Sequence, residues 1–232
     1  MKHLAFTLAA GWSFTGFAAY YFLSANQGLS SRIWRNESLD LRIRTVIMQR
    51  LWGLLFLGVI SVLIIVLILK ESLFNYGLGF GFSAPVPWWA WAIMAVIPLL
   101  SFLQASSAGN LRLYPQIRVE KWSPGILILN SLSWIIFLLA YEFMFRGFLL
   151  FASLQLMDMT PAIALNTAVY SLAHLYKGPG EAFGALPVGI ILCYLSILTG
   201  NIWMAVILHS TMALTNEWFS LRAHPQMHLA KK

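Results

Sequence analysis

The chain has 232 residues, 59% of them hydrophobic and 10% charged, with a mean hydropathy of +0.75 and a net charge of +7. A soluble domain carries about 25% charged residues, so this composition excludes an ordinary soluble fold and describes an integral membrane protein, all-α, with room for about seven spans of roughly 20 residues. The basic excess does not make nucleic acid a partner, because the Lys and Arg fall in short segments between apolar runs, where topology and anionic lipid account for them.

Leu4 to Leu23 is the first expected span. Lys2 precedes it as in a signal peptide, but it is long and polar for such a segment, and Ser24-Ala25-Asn26 makes a poor cleavage site. Ser24 to Arg50 is the longest polar segment, with Arg32, Arg35, Arg42, Arg44 and Arg50 interleaved with apolar side chains. It reads equally as an interfacial segment or a solvated loop. Leu51 to Leu69 is the second span. Trp88-Trp89-Ala90-Trp91 opens the third as an interfacial anchor, and Pro98 is expected to kink it. The fourth, Gly125 to Leu156, is longer than a bilayer requires. Thr160-Pro161 reads as the start of the fifth, a capping hydroxyl followed by proline at the first helical position, and that span runs to Tyr176. Ala182 to Thr199 is the sixth, Gly200-Asn201 a tight turn, and Ile202 to Leu221 the seventh. The lone cysteine, Cys193, lies in an apolar run and rules out an intrachain disulfide.

Most Lys and Arg lie in 24–50, 105–124 and the tail after Leu221. With seven spans all three segments share one side, expected to be cytoplasmic, which puts the N-terminus outside. The expected organisation is a single membrane domain: 1–124 with the N-terminal spans and basic loops, 125–221 with the chemistry, and 222–232 as a cytoplasmic tail. Its oligomeric state is not legible in the sequence.

The chemistry centres on Tyr141-Glu142-Phe143-Met144-Phe145-Arg146-Gly147, inside the apolar run Ile126 to Leu154. Glu142 and Arg146 are four apart and share a helix face. An ionisable residue at membrane depth is costly, and its default reading is functional. Glu142 stands 16 residues before Asp158 and His174 stands 16 after it, so a hairpin turning near Asp158 sets the two level, each about 20 Å from the turn. His209, eight residues past Asn201, lies about 12 Å from its own turn. A carboxylate and two imidazoles at one depth can handle protons for hydrolysis or for transport. The bland reading stands beside it: Glu142–Arg146 as a satisfied structural pair, and each His as a core residue bonded to a neighbouring helix.

At these residues the sequence resembles the CPBP family, the CAAX-protease and bacteriocin-processing (Abi) intramembrane peptidases. The family pattern is Glu-Glu-x-x-x-Arg, an aromatic-x-x-x-His, then His-x-x-x-Asn or Asp. Here the three read Tyr141-Glu142-x-x-x-Arg146, Tyr170-x-x-x-His174 and His209-x-x-x-Ala213. Tyr141 thus replaces the first Glu and Ala213 the Asn, while Asn216 lies two helical turns from His209, about 10 Å along the axis. The resemblance implies a multi-pass protein of the bacterial inner membrane that hydrolyses a peptide bond in a membrane-associated protein or peptide. It implies Glu142 as the residue that activates water, His174 as its assistant, His209 as oxyanion stabiliser and Arg146 as orienting partner, with Tyr141 as packing or an added hydroxyl. A catalytically silent, peptide-binding descendant is the alternative that the two departures favour, and a proton-coupled transporter the other. No cofactor is expected. Glu142, His174 and His209 would make a two-His, one-Glu zinc set, but using Glu142 as a ligand would leave no carboxylate base.

Overall fold

The structure is a computed structural model that describes residues 1–26, 28, 33 and 39–230. The expected helical bundle is what forms. Its helices are α1 (Lys2–Ala25), α2 (Leu41–Leu69), α3 (Trp88–Gln104), the short α4 (Ala108–Leu113), α5 (Pro124–Leu154), α6 (Met159–Leu172), α7 (Pro179–Thr199) and α8 (Trp203–Ala223). Extended structure among the described residues is one parallel pair, β1 (Lys121–Trp122) with β2 (His228–Leu229). Arg32, Trp34, Arg35 and Glu37 of the polar segment, and Lys231 and Lys232, lie outside the described residues.

Three helices among the described residues, α2, α5 and α7, are long and apolar enough to cross a membrane, and α3 is a shorter apolar helix of 17 residues. α1 and α8 have the length but are more polar, while α6 has only 14 residues. Large apolar side chains face outward, among them Phe14 at 74% exposed, Leu103 at 65% and Phe183 at 73%. Such a surface suits lipid and not water, and the chain is a membrane protein.

Among the boundaries that differ from expectation, four change the reading of nearby residues. α2 begins ten residues before Leu51, because Asp40 caps it by accepting from the Arg42 N–H at 2.8 Å. Ile43, Val46 and Ile47 then bury one stripe at helical spacing, so this basic stretch is the first turns of a helix. α6 begins at Met159 with Asp158 as its cap residue, which moves Thr160 and Pro161 into the first turn. Proline is tolerated there because first-turn N–H groups have no intrahelical acceptor. The same helix stops at Leu172, leaving His174 at the head of a 3₁₀ turn, Leu175–Lys177. α7 starts at Pro179, three residues before Ala182, with proline in its first turn.

The two ends of the bundle are built differently. At one end the basic segments meet. Arg42 donates to the Arg118 carbonyl at 2.8 Å, His228 N–H to the Glu120 carbonyl at 2.8 Å, and Ile43, Ile47, Ile117, Trp122 and Leu221 form a shared apolar cluster. At the other end, the segment after α2 folds over the α7–α8 turn. Gly200, at φ 69°, turns the chain in the left-handed region, and Asn201 bonds the Trp203 N–H at 3.0 Å and the Gly81 carbonyl at 2.6 Å. Trp88 and Trp91, both largely exposed, open α3 after this segment, and Pro98 lies inside the helix.

Candidate active site

Helix α5 is not uniform. From Phe143 to Leu149 it widens into a π-helical segment, as α2 also does at Leu54–Val59 and Ile64–Leu69. Ser123 caps the start of α5 by accepting from the Ile126 N–H, with Pro124 at the first helical position. Glu142 is the last residue of the α-helical part and Arg146 sits within the widened part. The segment is held from outside. Asn166 of α6 donates to the Phe145 carbonyl at 2.6 Å and accepts from Cys193 Sγ of α7 at 3.1 Å. Gly147 lies against the backbone of the loop after α2: a Cβ there would stand 2.8 Å from the Tyr76 carbonyl oxygen and 2.7 Å from Phe143.

Glu142 is fully buried. Its Oε1 lies 2.5 Å from His209 Nδ1 on α8, and its Oε2 lies 3.2 Å from Arg146 Nη1. The Arg146 guanidinium stacks over the Tyr170 ring, 4.0 Å from its centroid, a contact that attracts a desolvated cation. Its Nε and Nη2 have no hydrogen-bond partner among the described residues. His174 Nδ1 is 2.9 Å from the Tyr170 carbonyl oxygen. A carbonyl only accepts, so Nδ1 carries the proton and Nε2 is left as an acceptor. The carboxylate beside His209 Nδ1 assigns the same tautomer there.

Around these groups the rings interlock. Tyr141 meets His174 and His209 edge-on, with centroids at 6.2 Å and 5.8 Å, and Tyr170 lies 4.6 Å from His174. A cavity of about 260 Å3 opens in front of them, walled by Tyr141, His174, His209, Ala213 and Asn216 on this side and largely by apolar residues of α1 and α3 on the other. Glu142, Arg146 and Tyr170 do not line it. The structure therefore brings all seven sequence-selected residues into one region, in two layers. Asn216 reaches the cavity wall although it lies two turns from His209. Among the described residues, no three His, Cys, Asp or Glu side chains are arranged to hold a metal ion.

The sequence reading passed over a second buried polar cluster. Arg50 donates to the Asn130 carbonyl at 2.8 Å, to Ser133 Oγ at 2.6 Å and to Gln116 Oε1 at 3.1 Å, and stacks on Trp134. Glu217 accepts from the Gln116 N–H at 3.0 Å and from Asn130 Nδ2 at 3.3 Å. The available signal was Asn130 and Glu217, an amide and a carboxylate placed within helices and not in loops.

Residues 121–215 match the family model described as Rce1-like, type II CAAX prenyl endopeptidase Rce1-like. No curated protein and no solved structure matches the chain. The match begins at β1, just before α5, and ends on α8 beyond His209, so it spans every motif-bearing residue except Asn216. Over this stretch, the one that joins Glu142 and Arg146 to His174 and His209, the chain is similar to the Rce1-like family, a match consistent with the CPBP resemblance of its motifs.

Proposed function

We propose that this protein is an intramembrane endopeptidase that hydrolyses a peptide bond in a membrane-associated protein or peptide. The observation that carries the reading is the Glu142–His209 pair, with its imidazole facing a cavity that His174 and Tyr141 also wall. Glu142 holds Nδ1–H of His209, which leaves Nε2 as the acceptor that takes a proton from water. The carboxylate then stabilises the imidazolium that forms. His174 Nε2 accepts a hydrogen bond from the water's other O–H, whose proton stays on the oxygen, and so orients the attacking atom. The oxyanion is met by the Tyr141 hydroxyl, with the Asn216 amide available on the same wall. The proton on His209 passes to the leaving amine, and the products are a carboxylic acid and an amine. Roles are thereby exchanged relative to the motif-based expectation. Glu142 acts on water through His209, because both of its oxygens are already engaged and it does not line the cavity.

The reaction is proposed to need no metal, since a cation on the two imidazole acceptors would occupy the atoms that handle the water. Metal analysis of purified protein tests this: stoichiometric zinc, with turnover lost on chelation and restored by zinc, would sink it. The proposed setting is the bacterial inner membrane with the N-terminus outside. It is supported by the gathering of the described parts of the three basic segments at one end of the bundle. An alkaline phosphatase fusion after Lys232 should be inactive, and an active one would reverse the orientation.

One observation favours a second reading. Tyr141 and Ala213 stand on the cavity wall where the family motif has a Glu and an Asn, so the cavity could hold a peptide without cutting it. Proteomics of the membrane fraction separates the two. A protease gives peptides whose termini appear with wild type and vanish with Glu142→Gln, whereas a binding protein gives identical termini in both strains.

A further inference from the structure

Behind the cavity that holds the two imidazoles lies another of about 260 Å3, and the two share a wall of Tyr20, Tyr114, Trp134, Phe137, Tyr176 and Lys177. Lys177 is the one charged side chain on that wall, and the only lysine between Lys121 and Lys231. It is partly buried. Among the described residues no carboxylate lies within ion-pair distance of its ammonium group, and the group makes no hydrogen bond. Its surroundings are the rings of three tyrosines, with Nζ 5.9 Å from the centroid of Tyr176. Arg50, the other cation in the second cavity, is engaged by Asn130, Ser133 and Gln116. The free cation is thus Lys177.

Its place in the chain ties it to the reactive end. Lys177 closes the 3₁₀ turn that His174 opens, and its N–H donates to the His174 carbonyl at 3.0 Å. Backbone and imidazole are therefore fixed relative to each other, while the side chain reaches the shared wall. The other formal charge on the first cavity is Glu181, four residues on, which repels an anion.

We propose that Lys177 is an anion subsite that takes a carboxylate of the bound peptide, either its C-terminal group or an acidic side chain. The proposal rests on the reading of the cavity as a peptide site but not on hydrolysis. An ammonium on a flexible stem suits a point anion approached from varied angles, and the phenols of Tyr20, Tyr114 and Tyr176 supply hydroxyl donors around it. The apolar remainder of the cavity then receives apolar side chains, and the fixed turn sets the distance from the bound carboxylate to the imidazoles.

Binding, not turnover, tests this, so the outcome is independent of whether the chain cuts peptides. The full chain in phosphatidylcholine nanodiscs is titrated with three dansylated apolar tetrapeptides. One ends in a free carboxylate, one in an amide, and one in an amide with an internal Glu; mass spectrometry checks that each stays intact. The expected result is binding of one carboxylate probe about tenfold tighter than the plain amide, the scale of one hydrogen bond to a charged group. The probe that gains identifies the source of the carboxylate. Lys177→Met should erase the gain, Lys177→Arg should keep it, and Glu181→Gln should enlarge it. Equal binding of all three probes to the wild type overturns the subsite, as does a preference that survives Lys177→Met. Should Lys177→Met fail to fold, the arginine and Glu181→Gln variants decide: the subsite falls if Lys177→Arg loses the preference and Glu181→Gln leaves it unchanged.

Discussion

Two clusters in this bundle contain the same ingredients, a buried arginine and a buried glutamate, and treat them in opposite ways. Around Arg50 and Glu217 the charges are dispersed. The arginine gives three hydrogen bonds and lies on Trp134, while each glutamate oxygen accepts one from an amide. No direct ion pair joins the two among the described residues. Around Glu142 and Arg146 the charges meet at 3.2 Å, the arginine makes no hydrogen bond, and the second glutamate oxygen is given to an imidazole that fronts a cavity. The first network is largely satisfied, with Arg50 Nε and Asn130 Oδ1 left without a partner among the described residues, and such a network is rigid. One that ends on a titratable ring facing open space can exchange a proton with what enters. Residue types alone do not distinguish the two; the partners do.

The sharpest way to break this comparison is at the reactive end. Glu142→Gln and His209→Ala should each lower peptidase turnover by about 10³- to 10⁴-fold, the scale set by removing the carboxylate from a carboxylate–imidazole pair. Both should leave a monodisperse protein in detergent, and the double variant should cost little more than either alone because the groups act as one unit. If either variant turns over at the wild-type rate, the cluster is structural and the contrast collapses.

The second test is at the quiet end. Arg50→Met takes the donor from the Asn130 carbonyl and from Gln116 Oε1 and removes this cluster's positive charge, and a buried polar group left unsatisfied costs about 1 to 3 kcal/mol, more for a charged one. The expected readout is a large loss of folded protein and of thermal midpoint, with the double change Arg50→Met/Glu217→Leu recovering much of it. A well-folded but inactive Arg50→Met would place this cluster in the chemistry after all.

The smallest expected effect sharpens the boundary between the layers. Tyr141→Phe removes one hydroxyl from the cavity wall and should lower turnover by about 10²-fold with an unchanged unfolding midpoint, as for a lost oxyanion donor. An unchanged rate would make Tyr141 packing and leave the oxyanion to Asn216.

How much of this was legible depended on the range over which the signal acts. Helix α5 and its hairpin with α6 followed from an apolar run and a turn, and the equal spacing of Glu142 and His174 about Asp158 pointed to the region where Tyr141, next to Glu142, meets the His174 ring. The start of α2 was missed because five arginines outweighed the stripe Ile43, Val46 and Ile47 in a reading led by charge. The Arg50–Glu217 cluster was out of reach for another reason: its partners lie far apart in sequence, and no periodicity encodes which polar side chain meets which. Lys177 looked like a loop residue because only the fold shows the cavity walls meeting at its side chain.

The widened turn between Phe143 and Leu149 makes chain length, as much as residue identity, a determinant of the site. A helix advances about 100° per residue. Deleting one residue from this segment would tighten it to an ordinary α-turn and rotate everything before it against everything after. Glu142 would swing off His209 while the composition of the helix hardly changed. The neighbouring position, now Tyr141, would be carried round with it, so which of two adjacent side chains faces His209 depends on how the turn is wound. Comparison of this helix with others by residue type alone therefore misses a variable, and a one-residue gap placed here is a statement about chemistry.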